Sequence, residues 1–205
     1  MGNLPFNLFD LLLIVVLAGG IVQGRKHGIS LELVSALKWV TLVLACAGFY
    51  GPAGQMIAGI GEFDLLTCYL FSYLGAALLI FLLFSILERR MGPKLAGSDI
   101  FGRGEYFLGM GSGMLRFACI MLTGLALLNA REFTPAELKN NERYQEENYG
   151  SHIFPGVHSL QVAVFERSFF GYFIRNDLGF LLINPTGADE KAPKMEARAR
   201  EAKSH

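Results

Sequence analysis

One stretch, Glu105–Asn129, limits the possible folds of this chain more than any other. Its 25 residues are almost all apolar, and at about 1.5 Å of rise per residue a helix of that length crosses a bilayer. Near its middle stands one charge, Arg116, on the face that also carries Gly109 and Gly113. A charge in hydrocarbon is costly and faces a bundle interior, water or a partner. Two interpretations stay open: a packing seam whose arginine reaches the membrane edge, or a polar functional site inside a bundle.

Three more apolar stretches precede this one and complete a membrane domain. They cover residues 6–22, 29–50 and 63–87, and they place most of the 52% hydrophobic residues in the first two thirds of the chain. Short connections are expected at residues 24–28 and at residues 51–62, where Gly51, Pro52 and Gly54 should break the second helix. The expected fold class is therefore an all-α membrane protein with a four-helix transmembrane bundle.

The orientation follows from lysine and arginine in the loops. The first connection holds Arg25 and Lys26, and the third, residues 88–104, holds four basic residues, whereas the second has none. Loops rich in basic residues stay in the cytoplasm. Both the N-terminus and everything after Asn129 should then lie on the outer side.

The rest of the chain divides in two. Residues 131–184 should form an extracytoplasmic connection, with a short helix capped by Thr134, and then an aromatic amphipathic helix at the interface over residues 157–183. A soluble helix packed on the loops is the alternative. Charges throughout residues 157–183 disfavour a fifth span. Residues 185–205 are polar and predicted to be a disordered tail, which leaves residues 1–130 as the transmembrane domain.

The residues that carry catalysis or bind metals are not grouped in this sequence. The four histidines are dispersed and form no ligand-spaced pair, and Cys46, Cys68 and Cys119 are expected to be small core hydrophobes. Gly109, Gly111 and Gly113 resemble part of a glycine-rich nucleotide-binding loop, but the strand that precedes such a loop is missing from the sequence before them. The sequence predicts no enzyme, no catalytic residue, no cofactor and no metal. The net charge of zero gives no reason to expect nucleic acid.

The sequence shows instead features that are typical of membrane helices. Two sets of glycines recur at four-residue spacing, a pattern that favours close helix packing; they are Gly20, Gly24 and Gly28 in the first helix and Gly109 and Gly113 in the fourth. Four charged residues stand inside apolar stretches and are candidate intramembrane polar sites; they are Asp10, Glu32, Lys38 and Arg116.

These residues resemble the CvpA (colicin V production protein) family. The resemblance covers residues 8–130: a membrane aspartate, glycines four apart, basic residues and a glutamate, and then a second motif around Arg116. Where the family usually has an Asp-Arg pair ahead of the first glycine of that motif, this chain has Glu105 and Tyr106, and Phe117 replaces a glycine. The resemblance implies a four-helix bacterial inner-membrane protein linked to colicin V-type toxin production or export and to envelope homeostasis; in that membrane, the outer side expected from the basic loops for both termini is the periplasm.

Two functional hypotheses follow. The first is a non-enzymatic protein that packs through its glycine faces with itself or with a membrane partner in the bilayer. The second is a small channel or transporter whose path is lined by Asp10, Lys38 and Arg116.

Depth along the helices predicts one specific ion pair. Counted from the ends of their helices, Asp10 and Arg116 reach nearly the same level at about 1.5 Å per residue, so they are expected to be partners. Lys38 is a rival partner for Asp10, and Glu32 fits Arg116 less well because it lies near the inner end of the second helix.

Overall fold

The structure, a computed structural model, describes residues 7–60, 63–95, 102–134, 137–138 and 156–187. Four helices of the described part are long and apolar enough to cross a membrane: Leu8–Ser30, Glu32–Ala58, Leu65–Arg90 and Glu105–Asn129. The predicted fold class, an all-α membrane protein with a four-helix transmembrane bundle, is therefore confirmed.

The first two spans form one continuous helical stretch, α1, Leu8–Ala58, which is interrupted at Gly28. We call the two parts α1a (Leu8–Ser30) and α1b (Glu32–Ala58). They are antiparallel: the Asn7 amide donates to the Ala163 carbonyl at 2.9 Å, and the Tyr50 hydroxyl accepts from the Asn184 backbone N–H at 3.1 Å, so both far ends reach the same short segment of chain.

The connection expected at residues 24–28 is present but is reduced to a single reversal, whereas the break expected at Gly51, Pro52 and Gly54 is wrong. Residues 24–28 are helical up to the single reversal at Gly28, whose φ of 71° suits a residue without a Cβ. The helix also continues through Pro52, ends at Ala58 and is capped by Gly59. The glycines and the proline mark these places correctly, but bilayer spans leave little backbone without hydrogen bonds, so helix persists wherever packing allows it.

The other two spans both pack against α1. Helix α2, Leu65–Leu95, packs chiefly against α1, whereas α3, Glu105–Asn129, makes the most extensive contact with it. A 3-10 turn, Gly102–Gly104, leads into α3. The basic residues Arg25 and Arg89 are exposed at the same end of the bundle, near the reversal.

Residues 157–183, where a single amphipathic helix was expected, contain two short helices. Helix α4, Val157–Phe165, and helix α5, Phe169–Asp177, are separated at Ser168, which caps α5 by accepting from Gly171 N–H at 3.0 Å. A 3-10 turn, Gly179–Leu181, follows. The single amphipathic helix is wrong in this respect, because a serine before an aromatic helix start makes a better N-cap than a helix interior residue.

This segment packs into the end of the bundle away from the reversal rather than resting loosely on it. Buried side chains from the spans and from the segment form one cluster, which includes Tyr50, Tyr69, Tyr73, Leu125, Ala126, Phe165, Ile174, Leu182 and Ile183. Asn129 donates to the Ile183 carbonyl at 2.9 Å, and Gln161 donates to the Leu128 carbonyl at 2.6 Å. The three predicted core cysteines, Cys46, Cys68 and Cys119, are free and buried, as expected.

A two-residue parallel pairing lies at the same end of the bundle. Strand β1, Arg131–Glu132, pairs with β2, Thr186–Gly187. The predicted tail thus begins in a folded position, and the prediction of disorder beyond Gly187 falls on residues outside the described part.

The predicted cap at Thr134 is present. Glu137 N–H donates to Thr134 Oγ1 at 3.4 Å, and Thr134 N–H donates to the Glu137 carboxylate at 3.0 Å, which completes a capping box. The hydrogen bond from the Thr134 backbone, followed by the nearby charge of Arg131, lowers the pKa of Glu137. Residues 139–147, which continue the acidic sequence after Glu137, lie outside the described residues.

Candidate functional site in the membrane bundle

The glycines of α1a and α3 meet in one close contact, which we call the glycine seam (Gly20, Gly24, Gly28, Gly109 and Gly113). A Cβ added at Gly20 would lie 2.8 Å from the Gly113 carbonyl oxygen, and one added at Gly109 would lie 2.5 Å from the Gly24 carbonyl oxygen. Real Cβ atoms do not approach backbone so closely, so any side chain would force the two helices apart. The seam thus brings the backbone of α3 against the half of α1a nearest the reversal.

Arg116 lies one turn beyond the seam and pairs with Glu32. Its Nη1 donates to Glu32 Oε2 at 2.8 Å, and the exposed fractions of the two side chains are 14% and 1%. The guanidinium also lies 5.0 Å from the centroid of the Phe117 ring. The arginine therefore extends toward the reversal, as a residue reaching for the membrane edge would, but its end group meets a buried carboxylate.

The predicted partnership of Asp10 with Arg116 is wrong. Depth along isolated helices favoured it, but α1b begins immediately after the reversal and carries Glu32 to the side of α3. The length of the arginine side chain then covers the difference in level between Arg116 and Glu32. Counting residues along each helix could not predict this contact between Glu32 and Arg116, because the contact depends on which helices are neighbours.

Two further groups complete the arrangement at the reversal. His27 Nδ1 lies 3.2 Å from Glu32 Oε1, with about half of the His27 side chain exposed. Glu105 Oε1 accepts from the Ser30 backbone N–H at 3.2 Å. A Cβ at Gly28 would lie 2.8 Å from Glu105 Cγ. The reversal is thus held by side chains from three helical segments, and sequence reasoning noted Glu105 only as a departure from a family pattern.

Asp10 is completely buried at the other end of α1a and serves a different purpose. Its Oδ1 accepts from Ser168 Oγ at 2.6 Å and from Phe170 N–H at 3.1 Å, while its Oδ2 accepts from Phe169 N–H at 3.2 Å and from Asn7 N–H at 2.9 Å. One carboxylate thus caps two helix N-termini, its own and that of α5. We call this arrangement the Asp10 clasp. Ser168 was missed, although its place before an aromatic run is typical of an N-cap.

Lys38 forms a separate ion pair, with a residue of α2. Its Nζ donates to both oxygens of Glu88 on α2, at 2.9 and 3.0 Å, and lies 4.9 Å from the centroid of the Phe81 ring. Lys38 is therefore not the partner of Asp10 either. The ion pair joins α1b to α2 much as Glu32 and Arg116 join α1b to α3.

The four predicted polar residues are therefore distributed over three sites rather than one. Asp10 belongs to the clasp, Lys38 to the pair with α2, and Glu32 and Arg116 to the reversal. Within the described ranges, no three His, Cys, Asp or Glu side chains are grouped so that they could hold a metal ion. Chemically, this arrangement orients helices: Glu32 with Arg116 and Lys38 with Glu88 form ion pairs between helices, and Asp10 accepts hydrogen bonds from neutral donors.

One comparison with known proteins identifies the family of this chain. The comparisons with curated proteins and with solved structures gave no significant match. The family model described as colicin V production protein matches residues 9–146, a range that holds the clasp aspartate, the reversal and the glycine seam. The match covers most of the chain, and four of its helices could span a membrane, so this integral membrane protein belongs to the colicin V production protein family.

Proposed function

We propose that this protein assists the production or export of colicin V-type peptide toxins and the maintenance of the envelope, as a non-enzymatic component of the bacterial inner membrane. The observation that carries the proposal is the family match over residues 9–146. The manner of action that we propose is helix packing, with a second copy or with a membrane partner. Both termini are proposed to be periplasmic, because the basic residues gather at the reversal end.

The separate pairing of the intramembrane charges supports a packing role. A channel lined by Asp10, Lys38 and Arg116 would need these side chains along one path. Each instead has its own partner on a different element. A buried charge whose hydrogen bonds or ion pair are already satisfied orients helices and offers little to a passing ion.

The outward face of α2 is the surface that we propose for the partner. Phe71, Leu74, Leu78 and Leu82 recur at spacings of three or four and are all at least half exposed. Gly75 lies among them, and a Cβ added there would meet nothing within 4 Å. A large apolar face with a glycine at its centre suits the approach of another helix.

The test is toxin release by cells that lack this protein. Complementation with the wild-type gene should restore the zone of growth inhibition around a colicin V-type producer, and Gly75→Leu should restore it at least several-fold less well. Gly111→Leu, a substitution at another open glycine on α3, is the matched control and should complement fully. Equal release with and without the protein would contradict the proposal.

A second measurement separates packing from transport. Liposomes that contain only this protein should show no ion flux above that of empty liposomes, while crosslinking in membranes should capture a dimer or a complex that Gly75→Leu weakens. Flux that Lys38→Gln or Arg116→Gln abolishes would favour the channel hypothesis instead.

A further inference from the structure

Helix α2 is packed unevenly along its length. Its first part, residues 65–73, belongs to the buried cluster at the end of the bundle away from the reversal. There the Tyr69 ring lies edge-on to the Tyr50 ring, with centroids 5.4 Å apart, and the Cys46 thiol donates to the Tyr73 carbonyl at 3.6 Å. After Tyr73, none of the described side chains of α2 is buried. We call residues 74–90 the α2 arm.

The α2 arm has weak apolar packing. In the described part of the chain, α2 packs against α1 and hardly at all against α3. The arm reaches the buried cluster through Ala76, Ala77 and Ile80, which are only partly buried. Lipid chains are as apolar as these side chains, so apolar burial alone does not hold a helix against its neighbour in a bilayer. The position of the arm therefore depends on its polar contact.

That contact is the ion pair of Lys38 with Glu88, near the end of the arm. The Lys38 Nζ lies 2.9 and 3.0 Å from the two Glu88 oxygens. Counted from Gly28, Lys38 lies about 15 Å from the reversal, near the middle of a hydrocarbon core of about 30 Å. A lysine without a partner at that depth is costly. The need of Lys38 for a partner thus fixes Glu88, and with it the end of the arm.

Gly75 lies where the buried part of α2 ends. A Cβ added at Gly75 would meet nothing within 4 Å, so close packing does not require a glycine here as it does in the glycine seam. Glycine restricts the backbone less than any other residue. From Gly75 to Arg90 the helix runs about 22 Å, so a tilt of about 15° at Gly75 would move the end of the arm by about 6 Å.

We propose that the α2 arm is a movable element, hinged at Gly75 and held against α1b by the Lys38–Glu88 pair as a latch. Glu88 is 33% exposed and is followed by the exposed Arg89, so the latch is accessible from the reversal end of the bundle. Opening would also move Leu78 and Leu82 of the partner surface proposed above. The arm itself is a property of the bundle and does not depend on the proposed role in toxin production.

The test compares two spin-label distances by double electron–electron resonance, on the full chain in lipid nanodiscs with the three native cysteines changed to alanine. Labels at Leu37 and Ile86, both more than half exposed, report on the arm. Labels at Phe49 and Phe71, also more than half exposed, report on the fixed part of α2. Lys38→Gln should lengthen the mean distance of the first pair by about 6 Å and leave the second pair unchanged.

Two variants are matched controls for the latch and the hinge. Lys38→Arg keeps a charge that can pair with Glu88, so it should keep the wild-type distances. Gly75→Ala, combined with Lys38→Gln, should reduce the lengthening by at least half, because alanine stabilises the helix at a position where its methyl group has space.

A further variant covers the possibility that Lys38→Gln does not fold. Glu88→Asp keeps the carboxylate but shortens its side chain by one methylene group, and it should lengthen the distance between the labels at Leu37 and Ile86 in the same direction. Unchanged distances in these two variants would overturn the proposal. Equal lengthening of both label pairs would also overturn it, because α2 would then move as a whole rather than about Gly75.

Discussion

The ion pair of Glu32 with Arg116 is the interaction whose loss should be easiest to measure. At 2.8 Å, two unit charges attract by about 6 kcal/mol at an effective dielectric constant of about 20, before the cost of desolvation is subtracted. Because the exposed fractions are 14% and 1%, removing one partner leaves the other charge buried without compensation. The usual cost of that change is about 3–5 kcal/mol.

We therefore expect Glu32→Gln and Arg116→Gln each to lower the free energy of unfolding by about 3–5 kcal/mol. The double variant should recover a substantial part of the summed loss, since no unpaired charge then remains. The measurement is unfolding in mixed detergent and dodecyl sulfate micelles, with the coupling energy taken from the double-mutant cycle. The contact of His27 with Glu32 should make Glu32→Gln the more costly of the two changes, because it weakens two interactions.

A matched cycle distinguishes this pair from the one that depth alone suggested. Asp10→Asn combined with Arg116→Gln should give additive losses within about 0.5 kcal/mol, because the structure gives these residues no shared partner. Additive losses in the Glu32 and Arg116 cycle, or strong coupling in the Asp10 and Arg116 cycle, would refute our account of the reversal.

Three further predictions concern the clasp, the seam and the orientation. Asp10→Asn and Ser168→Ala should each raise the rate of amide hydrogen exchange in the first turn of α5, by about tenfold for a cap worth about 1–2 kcal/mol. Unchanged exchange rates would contradict the role of the clasp. Gly24→Ala should destabilise the protein because it separates α1a from α3, whereas Gly111→Ala should be neutral or stabilising by up to about 1 kcal/mol; both are measured by thermal unfolding, and a neutral Gly24→Ala would contradict the seam. An engineered cysteine at Glu142 should react with an impermeant thiol reagent in intact cells. Labelling that occurs only after membrane rupture would contradict the predicted orientation.

Much of the site was visible in the sequence. The charges inside apolar stretches identified Asp10, Glu32, Lys38 and Arg116, because a costly residue in hydrocarbon is rarely accidental. The sequence did not show which residues are the partners of these four charges. Ser168 and Glu88 were not considered as partners, because each is a common polar residue outside any motif.

The number and approximate positions of the spans were determined by the sequence alone, since apolar length is a local property that any window of residues reveals. The positions of the glycines likewise predicted close packing before any neighbour was known. The tertiary structure decided the pairing: Glu32 and Arg116 are 84 residues apart in the chain, and Asp10 and Ser168 are 158 apart. Such contacts depend on the reversal at Gly28 and on which helices become neighbours, and these are properties of the whole bundle rather than of any one stretch.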